Sequence, residues 1–474
     1  MVELGRYTKP VKALSKTASG VQMVGMQPQL ANVHSVRLLY GLLAVFGFIF
    51  IVRLFYLQVI KYSYYQNEAA AQQLRELTIP ANRGLIYAMN GANSMTPMVL
   101  NQTVYTLYAD PKFVEGASAT ANAIYKVIGG DTSTYTKLLS DSKLGYVVLA
   151  TKLNVNQYNA INKLQLYGVG LQQVEERVYP NGGLASQVLG FVDADGQGQY
   201  GVEGYLNSEL AGHNGLFKAV TDVRGIPLTT SKEDVLKPAR DGTNVALTID
   251  RNVEWEAQQA LAQGLKGAGA TSGSIVVMDP SNGHVLAMAN EPTYDVSNYQ
   301  DVTNYQDFQN GVVSHLYEPG SDIKLLTMAA GINQGVVTPN TTFNNTGTVV
   351  VDGDTIGNVE PHNGPTSMQV VLDLSLNTGA VFVLQQLGGG QINTQAKDTL
   401  YRYFSQRYGF GHKTGIEQSG EAAGLIFSPT NAQGDQVRYA NMSFGQGFEA
   451  TILQVAAAEC AVVNGGDLLP APAR

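Results

Sequence analysis

The sequence predicts an α/β chain of the α+β type, carried on one helix that spans a membrane. Three observations support this. Leu38 to Val52 is an uncharged run of 15 residues (52 − 38 + 1), and Leu54 to Ile60 extends it beyond Arg53, close to the ~20 apolar residues that cross a bilayer. Two short apolar runs, Ser274–Met278 and His284–Met288, flank Asp279-Pro280-Ser281-Asn282-Gly283, the pattern of a hairpin and its turn. Longer stretches, Val253 to about Leu265 and the apolar run Leu325, Leu326, Met328, Ala329 and Ala330, read as helices able to pack on such a sheet.

In chain order, residues 1–37 form a tail with Arg6, Lys9, Lys12, Lys16 and Arg37 against one acid, Glu3, a charge of +4 (5 − 1). Basic flanks stay on the cytoplasmic side, so the tail is expected inside and everything after the span outside. A cleaved signal peptide is the alternative. The late start of the apolar run and the lack of a small-residue cleavage site after it weigh against that. Residues 38–60 are the span, with Arg53 able to snorkel towards an interface. Two extracytoplasmic domains fit the ~414 residues that follow (474 − 60) at the usual ~100–200 residues each. The first, 61–235, is expected to hold a polar helix over Gln66–Leu77 and short strands such as Thr103–Tyr108. A charged stretch from Ser231 to Gly242 marks the junction, and the second domain runs over 236–474.

Composition removes several classes of function. The chain carries −8 in total, so residues 38–474 carry −12 (−8 − 4), which offers no footprint for nucleic acid. The single cysteine, Cys460, lies in an apolar stretch that reads as a buried helix, and an internal disulfide is impossible. The six histidines show no paired metal-ligand spacing. Asp193-Ala194-Asp195-Gly196 begins like a calcium loop, but Glu203 falls at its eleventh position where the loop needs a ligand at the twelfth. No cofactor or metal is expected.

The residues that carry chemistry lie further on. Ser321 and Lys324 stand three apart after the turn Glu318-Pro319-Gly320 and before an apolar helix, so they share one helix face. A serine hydroxyl needs a base, and a desolvated neutral lysine can take its proton. At a helix N-terminus, free N–H groups and the helix dipole favour a developing oxyanion. The plain alternative makes Ser321 an N-cap and Lys324 a solvated first-turn residue. Ser375-Leu376-Asn377, 54 residues on (375 − 321), supplies a second hydroxyl for proton relay and a carboxamide able to hold a substrate amide or the lysine.

S-x-x-K followed by S-x-N resembles the signature of serine acyl-transfer enzymes that react with penicillin, and the chain resembles the class B penicillin-binding proteins. The resemblance extends over most of its length: Arg53-Leu54-Phe55-Tyr56-Leu57-Gln58-Val59 at the membrane exit, Asn82-Arg83-Gly84-Leu85-Ile86-Tyr87, Arg177-Val178-Tyr179-Pro180 with Gly190, Gly201-Val202-Glu203-Gly204, Leu247-Thr248-Ile249-Asp250, Val277-Met278-Asp279-Pro280 with Gly283, and Ser443-Phe444-Gly445-Gln446-Gly447. It implies an elongated pedestal (dimerisation-type) domain and a transpeptidase domain of the serine β-lactamase-like fold with an antiparallel sheet. It implies a peptidoglycan D,D-transpeptidase in which Ser321 is the nucleophile, Lys324 its base, Ser375 the proton relay and Asn377 the residue orienting the donor peptide. Implied partners are peptidoglycan stem peptides, β-lactams, and the membrane-embedded glycan-polymerising, divisome and elongasome proteins. The alternatives are a non-catalytic cell-wall scaffold and an anchored β-lactam sensor or β-lactamase. Asp322-Ile323 departs from the Thr-Phe common between the family's serine and lysine; Asp322, at i+1, is expected to face away from Lys324.

The family's third element, K-[ST]-G, follows the S-F-G-Q-G segment, and no such tripeptide lies between Ser443 and Arg474. Lys413-Thr414-Gly415 precedes Ser443 and falls where the family has an F-G-F-G-x-x-T-G-I run, which Tyr408 to Ile416 resembles, so Lys413 is expected to be a loop lysine. The transpeptidase domain is accordingly expected to be incomplete at its C-terminus, half of its oxyanion hole missing, and the 474 residues inactive or slow, since losing one such donor costs ~10²–10³ in rate. The topology has a direct check: a reporter fused after Met1 is expected to work only in the cytoplasm and one fused after Arg474 only outside. A Met1 reporter working outside overturns the orientation.

Overall fold

The computed structural model describes residues 33–65, 74–91, 94–220 and 235–474. The chain divides into two compact units, one of residues 1–76 with 218–231 and the other of residues 77–217 with 232–474.

In the first unit, Val33–Phe55 is α-helical and continues through a π-helical turn, Tyr56–Ile60. Arg37–Ile60 has a mean hydropathy of 2.4 and no side chain buried in the protein. At ~1.5 Å per residue it is long enough to cross a ~30 Å hydrocarbon layer. The basic residues Arg6, Lys9, Lys12 and Lys16 lie outside the described residues, as does the charged junction from Ser231 to Asp234. The helix expected over Gln66–Leu77 is corrected in part: residues 66–73 lie outside the described set, and Leu74–Ile79 is a strand. Two β-branched residues, Thr78 and Ile79, end it, and Pro80 forces the residue before it into the extended region.

The second unit begins with a five-stranded sheet built on the long strand Met95–Ala109. Ten successive residues of it, Leu100 to Ala109, pair antiparallel with Val169–Val178. Val147–Leu153 lies along its other side and Ile86–Met89 pairs with its first half, both antiparallel. Helices Ala117–Ile128, Thr132–Ser140 and Val155–Lys163 cover a core of Leu107, Ile124, Leu139, Leu149 and Ile161. Side-chain caps set where the latter two start: Asp131 accepts from Ser133 N–H and Thr134 N–H, and Asn154 forms a capping box with Gln157.

At the base of this sheet a buried charge cluster joins three sequence segments. Glu203 is fully buried and accepts from Arg83 Nε at 2.7 Å and Arg177 Nε at 2.8 Å. The arginines continue to Asn207 at 2.9 Å and Asn101 at 2.7 Å. Two guanidinium groups around one carboxylate leave no unpaired acid, which is the condition for burying the charge at all. The nearby Asp193 accepts from Asp195 N–H, Gln197 N–H and Gln199 Nε2, so its loop is closed by its own donors.

Val245–Asp250 then joins the same sheet, running parallel to Ile86–Met89. Asp250 caps the helix Arg251–Ala268, which packs its Ala257 and Leu261 on Ala287 and Ala289 of the antiparallel hairpin Gly273–Met278 and Val285–Glu291. Asp279 closes that hairpin's turn through Ser281 and Asn282. Helix Ile452–Val463 also packs on the hairpin, with Leu453, Ala457 and Ala461 buried and Cys460 only half-buried. One core, from Ile86 and Val99 through Leu247 and Val285 to Leu453, runs through both halves of this unit. A second core unites Ile323 and Leu326 with Val381, Leu384, Phe404, Phe410 and Tyr439.

One buried carboxyl among the described residues has no charged partner. Glu254 is fully exposed to neither water nor a cation: it is buried, its Oε2 accepts from Met288 N–H at 2.7 Å, and its Oε1 has no partner. Burial pushes its pKa up to about 7. The folded state therefore holds a proton that the unfolded chain loses near its ordinary carboxylate pKa, so stability falls as pH rises from about 4.5 to about 7 and is level above. Glu254→Gln keeps the acceptor for Met288 and cannot ionise. Urea midpoints in detergent are expected to lose most of their slope over that window in Glu254→Gln; an unchanged slope would assign it to other groups.

Candidate active site

Ser321 is the middle residue of a short 3₁₀ turn, Gly320–Asp322, that opens directly into helix Ile323–Asn333. Gly320 takes φ +67°, which a residue with a side chain adopts only with strain. Ser321 is exposed and Lys324 is 3% exposed. Lys324 Nζ lies 2.8 Å from Ser321 Oγ, 2.8 Å from Ser375 O and 2.9 Å from Ser375 Oγ. Burial pushes its pKa down to about 8, with no carboxylate opposing the shift. A neutral amine satisfies these three contacts. The Ser375 carbonyl can only accept, so one N–H goes there and the second to Ser375 Oγ, leaving the lone pair for the Ser321 hydroxyl proton.

Ser375 presents both oxygens to the amine by taking φ +52°, the left-handed region that is costly for a side-chain residue and is held only where surroundings over-determine it. Leu376 N–H on Val371 O at 2.9 Å ties the bend. The structure thus brings Ser321, Lys324 and Ser375 into one hydrogen-bonded group. Asn377 begins the next helix, Asn377–Leu387, and its Nδ2 donates to Gly357 O at 2.9 Å; among the described residues it makes no bond to the lysine.

The segment Ser443–Gly447, known from the sequence only as a match, braces the serine from behind. Gly320 N–H donates to Gly445 O at 2.8 Å, Gly447 N–H to Glu318 Oε1 at 2.7 Å, and Thr327 Oγ1 to Ser443 O at 2.8 Å. Tyr317 and Ala450 exchange two backbone hydrogen bonds. Gly445 holds φ +90°, and a Cβ there would sit 1.8 Å from Gly320 O. Asp322 is exposed; with burial, its charge raises the pKa of Tyr317 and of Glu459, which puts its carboxylate on the side of those two residues.

Lys413-Thr414-Gly415 lies in a loop. Glu421 holds Thr414 N–H and Oγ1, both at 2.6 Å, and Gly415 N–H at 3.3 Å. Lys413 lines a separate cavity of about 400 Å³ with Ser405, His412 and Leu468. Among the described residues, the tripeptide makes no hydrogen bond to Ser321, Lys324, Ser375 or Asn377.

Comparison with known proteins agrees with this geometry. The family model for the penicillin-binding protein dimerisation domain matches residues 78–247, and that for the penicillin binding protein transpeptidase domain matches 273–471. The chain belongs to the penicillin-binding proteins. The pairing of those two domains behind an apolar helix makes it a class B member of the transpeptidase type. Stage V sporulation protein D of Bacillus subtilis is 31% identical over 91% of this chain and 65% of its own length. Peptidoglycan D,D-transpeptidase FtsI of Escherichia coli is 28% identical over 93% of this chain and 73% of its own. This chain therefore spans roughly two thirds to three quarters of those relatives. Among solved structures, a peptidoglycan synthetase from Bifidobacterium adolescentis matches with a TM-score of 0.61 and 27% identity, over 83% of this chain and 73% of that one. Penicillin Binding Protein 2X from Streptococcus thermophilus shares the fold with a TM-score of 0.68 at 23% identity, over 84% and 60%.

Backbone contact at Gly445 sets the position of the Ser321 turn, which predicts a specific failure. Gly445→Ala is expected to cost about 1–3 kcal/mol, as overpacking does, read as a lower urea midpoint, and to speed amide exchange at Gly320 N–H. Wild-type exchange at Gly320 in a folded Gly445→Ala protein would refute that dependence.

Proposed function

We propose that this chain is a peptidoglycan D,D-transpeptidase that cross-links stem peptides through an acyl-serine, and that β-lactams acylate the same serine. The observation that carries the reading is the buried Lys324 amine, hydrogen-bonded to Ser321 Oγ and to both oxygens of Ser375, with its pKa lowered to about 8. Neutral Lys324 takes the Ser321 proton as Oγ attacks the penultimate D-alanine carbonyl of a donor stem peptide. The carbonyl oxygen becomes an oxyanion at the N-terminus of helix Ile323–Asn333, where free N–H groups favour negative charge. The proton passes through Ser375 Oγ to the nitrogen of the terminal D-alanine, which leaves as a neutral amine. The amine of a second stem peptide then attacks the ester, loses its proton to the restored base, and frees Ser321. Asn377 orients the donor peptide. Lys413 has no part in these steps.

Sporulation in the name of one relative and peptidoglycan D,D-transpeptidase in that of another support glycan-polymerising and divisome or elongasome proteins as the proposed partners. The proposed placement is a single pass, with residues 1–37 cytoplasmic and 61–474 outside.

Fluorescent penicillin tests the reading. Wild-type protein is expected to be labelled covalently, Ser321→Ala not at all, and Lys324→Ala more slowly by the ~10²–10⁴ typical of losing a general base. Lys413→Ala should match wild type. Because the base works unprotonated, the labelling rate should rise about tenfold per pH unit below its pKa of about 8 and level off above it. Label retained in Ser321→Ala would refute the nucleophile; label lost in Lys413→Ala would make that loop the third motif.

A further inference from the structure

The helix that carries Asn377 starts without a cap of its own. Its N-cap residue is Leu376, whose side chain can accept no hydrogen bond, so the first-turn N–H groups need partners from elsewhere. Asn358 supplies one from 20 residues upstream in sequence. Its Oδ1 accepts from Thr378 N–H at 3.0 Å and lies 3.1 Å from Thr378 Oγ1. The preceding carbonyl, Gly357 O, accepts from Asn377 Nδ2 at 2.9 Å. Two consecutive residues thus hold both the side chain of Asn377 and the backbone just after it.

Those residues are themselves fixed. Gly357 is the last residue of the hairpin Thr348–Val351 and Asp354–Gly357, paired antiparallel through four residue pairs. Asn358 N–H donates back to Gly347 O at 3.1 Å. Asn345, 2% exposed, places its Oδ1 3.0 Å from Thr378 Oγ1, so the single hydroxyl proton serves one of two carbonyl oxygens at a time. The backbone N–H of Thr378 goes to Asn358. Asn358 Nδ2 is buried and has no partner, which leaves the oxygen as the atom of this side chain that the fold uses.

We propose that Asn358 is a positioning residue for the acyl-transfer site: it caps the helix of Asn377 from outside and, with Gly357 O, fixes where the S-x-N segment stands against Lys324. The inference rests on the transpeptidase reading. Ser375 lies three residues before Thr378 and is held in a left-handed conformation, so a loosened Thr378 frees the end of the segment that presents Ser375 to the lysine. A displacement of about 1 Å in such a group costs on the order of 10²-fold in rate.

Two measurements on the full chain in detergent test this: the fluorescent-penicillin labelling rate and amide exchange at Thr378 N–H. Asn358→Ala is expected to label at Ser321 on the order of 10- to 100-fold more slowly and to exchange Thr378 N–H faster. Asn358→Asp retains the accepting oxygen at a helix N-terminus, where a negative charge is favoured, and should recover both the rate and the protection. Thr378→Val leaves the backbone N–H and should stay near wild type in exchange. A folded Asn358→Ala with wild-type rate and wild-type Thr378 exchange overturns the proposal, as does Asn358→Asp behaving like Asn358→Ala. If Asn358→Ala does not fold, Asn358→Ser, whose oxygen is one bond too short, carries the same comparison. If wild-type protein takes no label, the exchange measurements decide on their own whether Asn358 caps the helix, and the transpeptidase reading is judged separately, by whether any label that forms is lost in Ser321→Ala.

Discussion

The burial of one lysine amine is the constraint on which the site depends. An ammonium in that position would be poorly solvated, so burial favours the neutral form. The neutral form in turn needs two acceptors for its N–H groups and one donor for its lone pair. Ser375 supplies the acceptors through its carbonyl and hydroxyl, and Ser321 supplies the donor. Ser375 turns both oxygens towards this one nitrogen from a left-handed backbone conformation.

Holding the three groups together falls to backbone contacts from distant segments. The serine turn is fixed from one side by Gly445, whose lack of a side chain lets two chains approach to within a single hydrogen bond. The S-x-N segment is held from the other side by Gly357, which ends the hairpin, and by Asn358 just after it. Neither brace contributes a reacting atom. Each removes freedom that would otherwise have to be lost when substrate binds, which is how an enzyme lowers the entropy cost of reaction.

Pairing also governs the region that matches the dimerisation domain. Glu203 is buried with both oxygens taken by arginines, Arg83 on Oε2 and Arg177 on Oε1, and asparagines Asn207 and Asn101 accept from those arginines in turn. Because Arg83, Arg177 and Glu203 come from three separate stretches, the cluster also fixes how those stretches meet at the base of the long sheet. The strand Val245–Asp250 extends that sheet and leads directly into the helix that packs on the hairpin Gly273–Met278 and Val285–Glu291.

By itself the sequence determined what depends on local spacing and composition. The apolar span, the hairpin around Asp279, the helix after Asp250 and the serine–lysine pair are all short-range patterns, set by periodicity, turn chemistry and the helical repeat. It misled at Leu74–Leu77, where a polar helical pattern gave way to an extended strand before Pro80. Only the tertiary structure decided that Ser375 meets Lys324 through its backbone as well as its hydroxyl, that Asn377 turns to Gly357, that Lys413 lines a separate cavity, and that Ser443–Gly447 braces the Ser321 turn. Apart from the Lys413 cavity, each of these joins residues about 20 to more than 100 positions apart. Hydrogen bonds across such separations leave no periodic trace in the chain, because the partner is chosen by where the fold delivers an acceptor and not by what stands next in sequence.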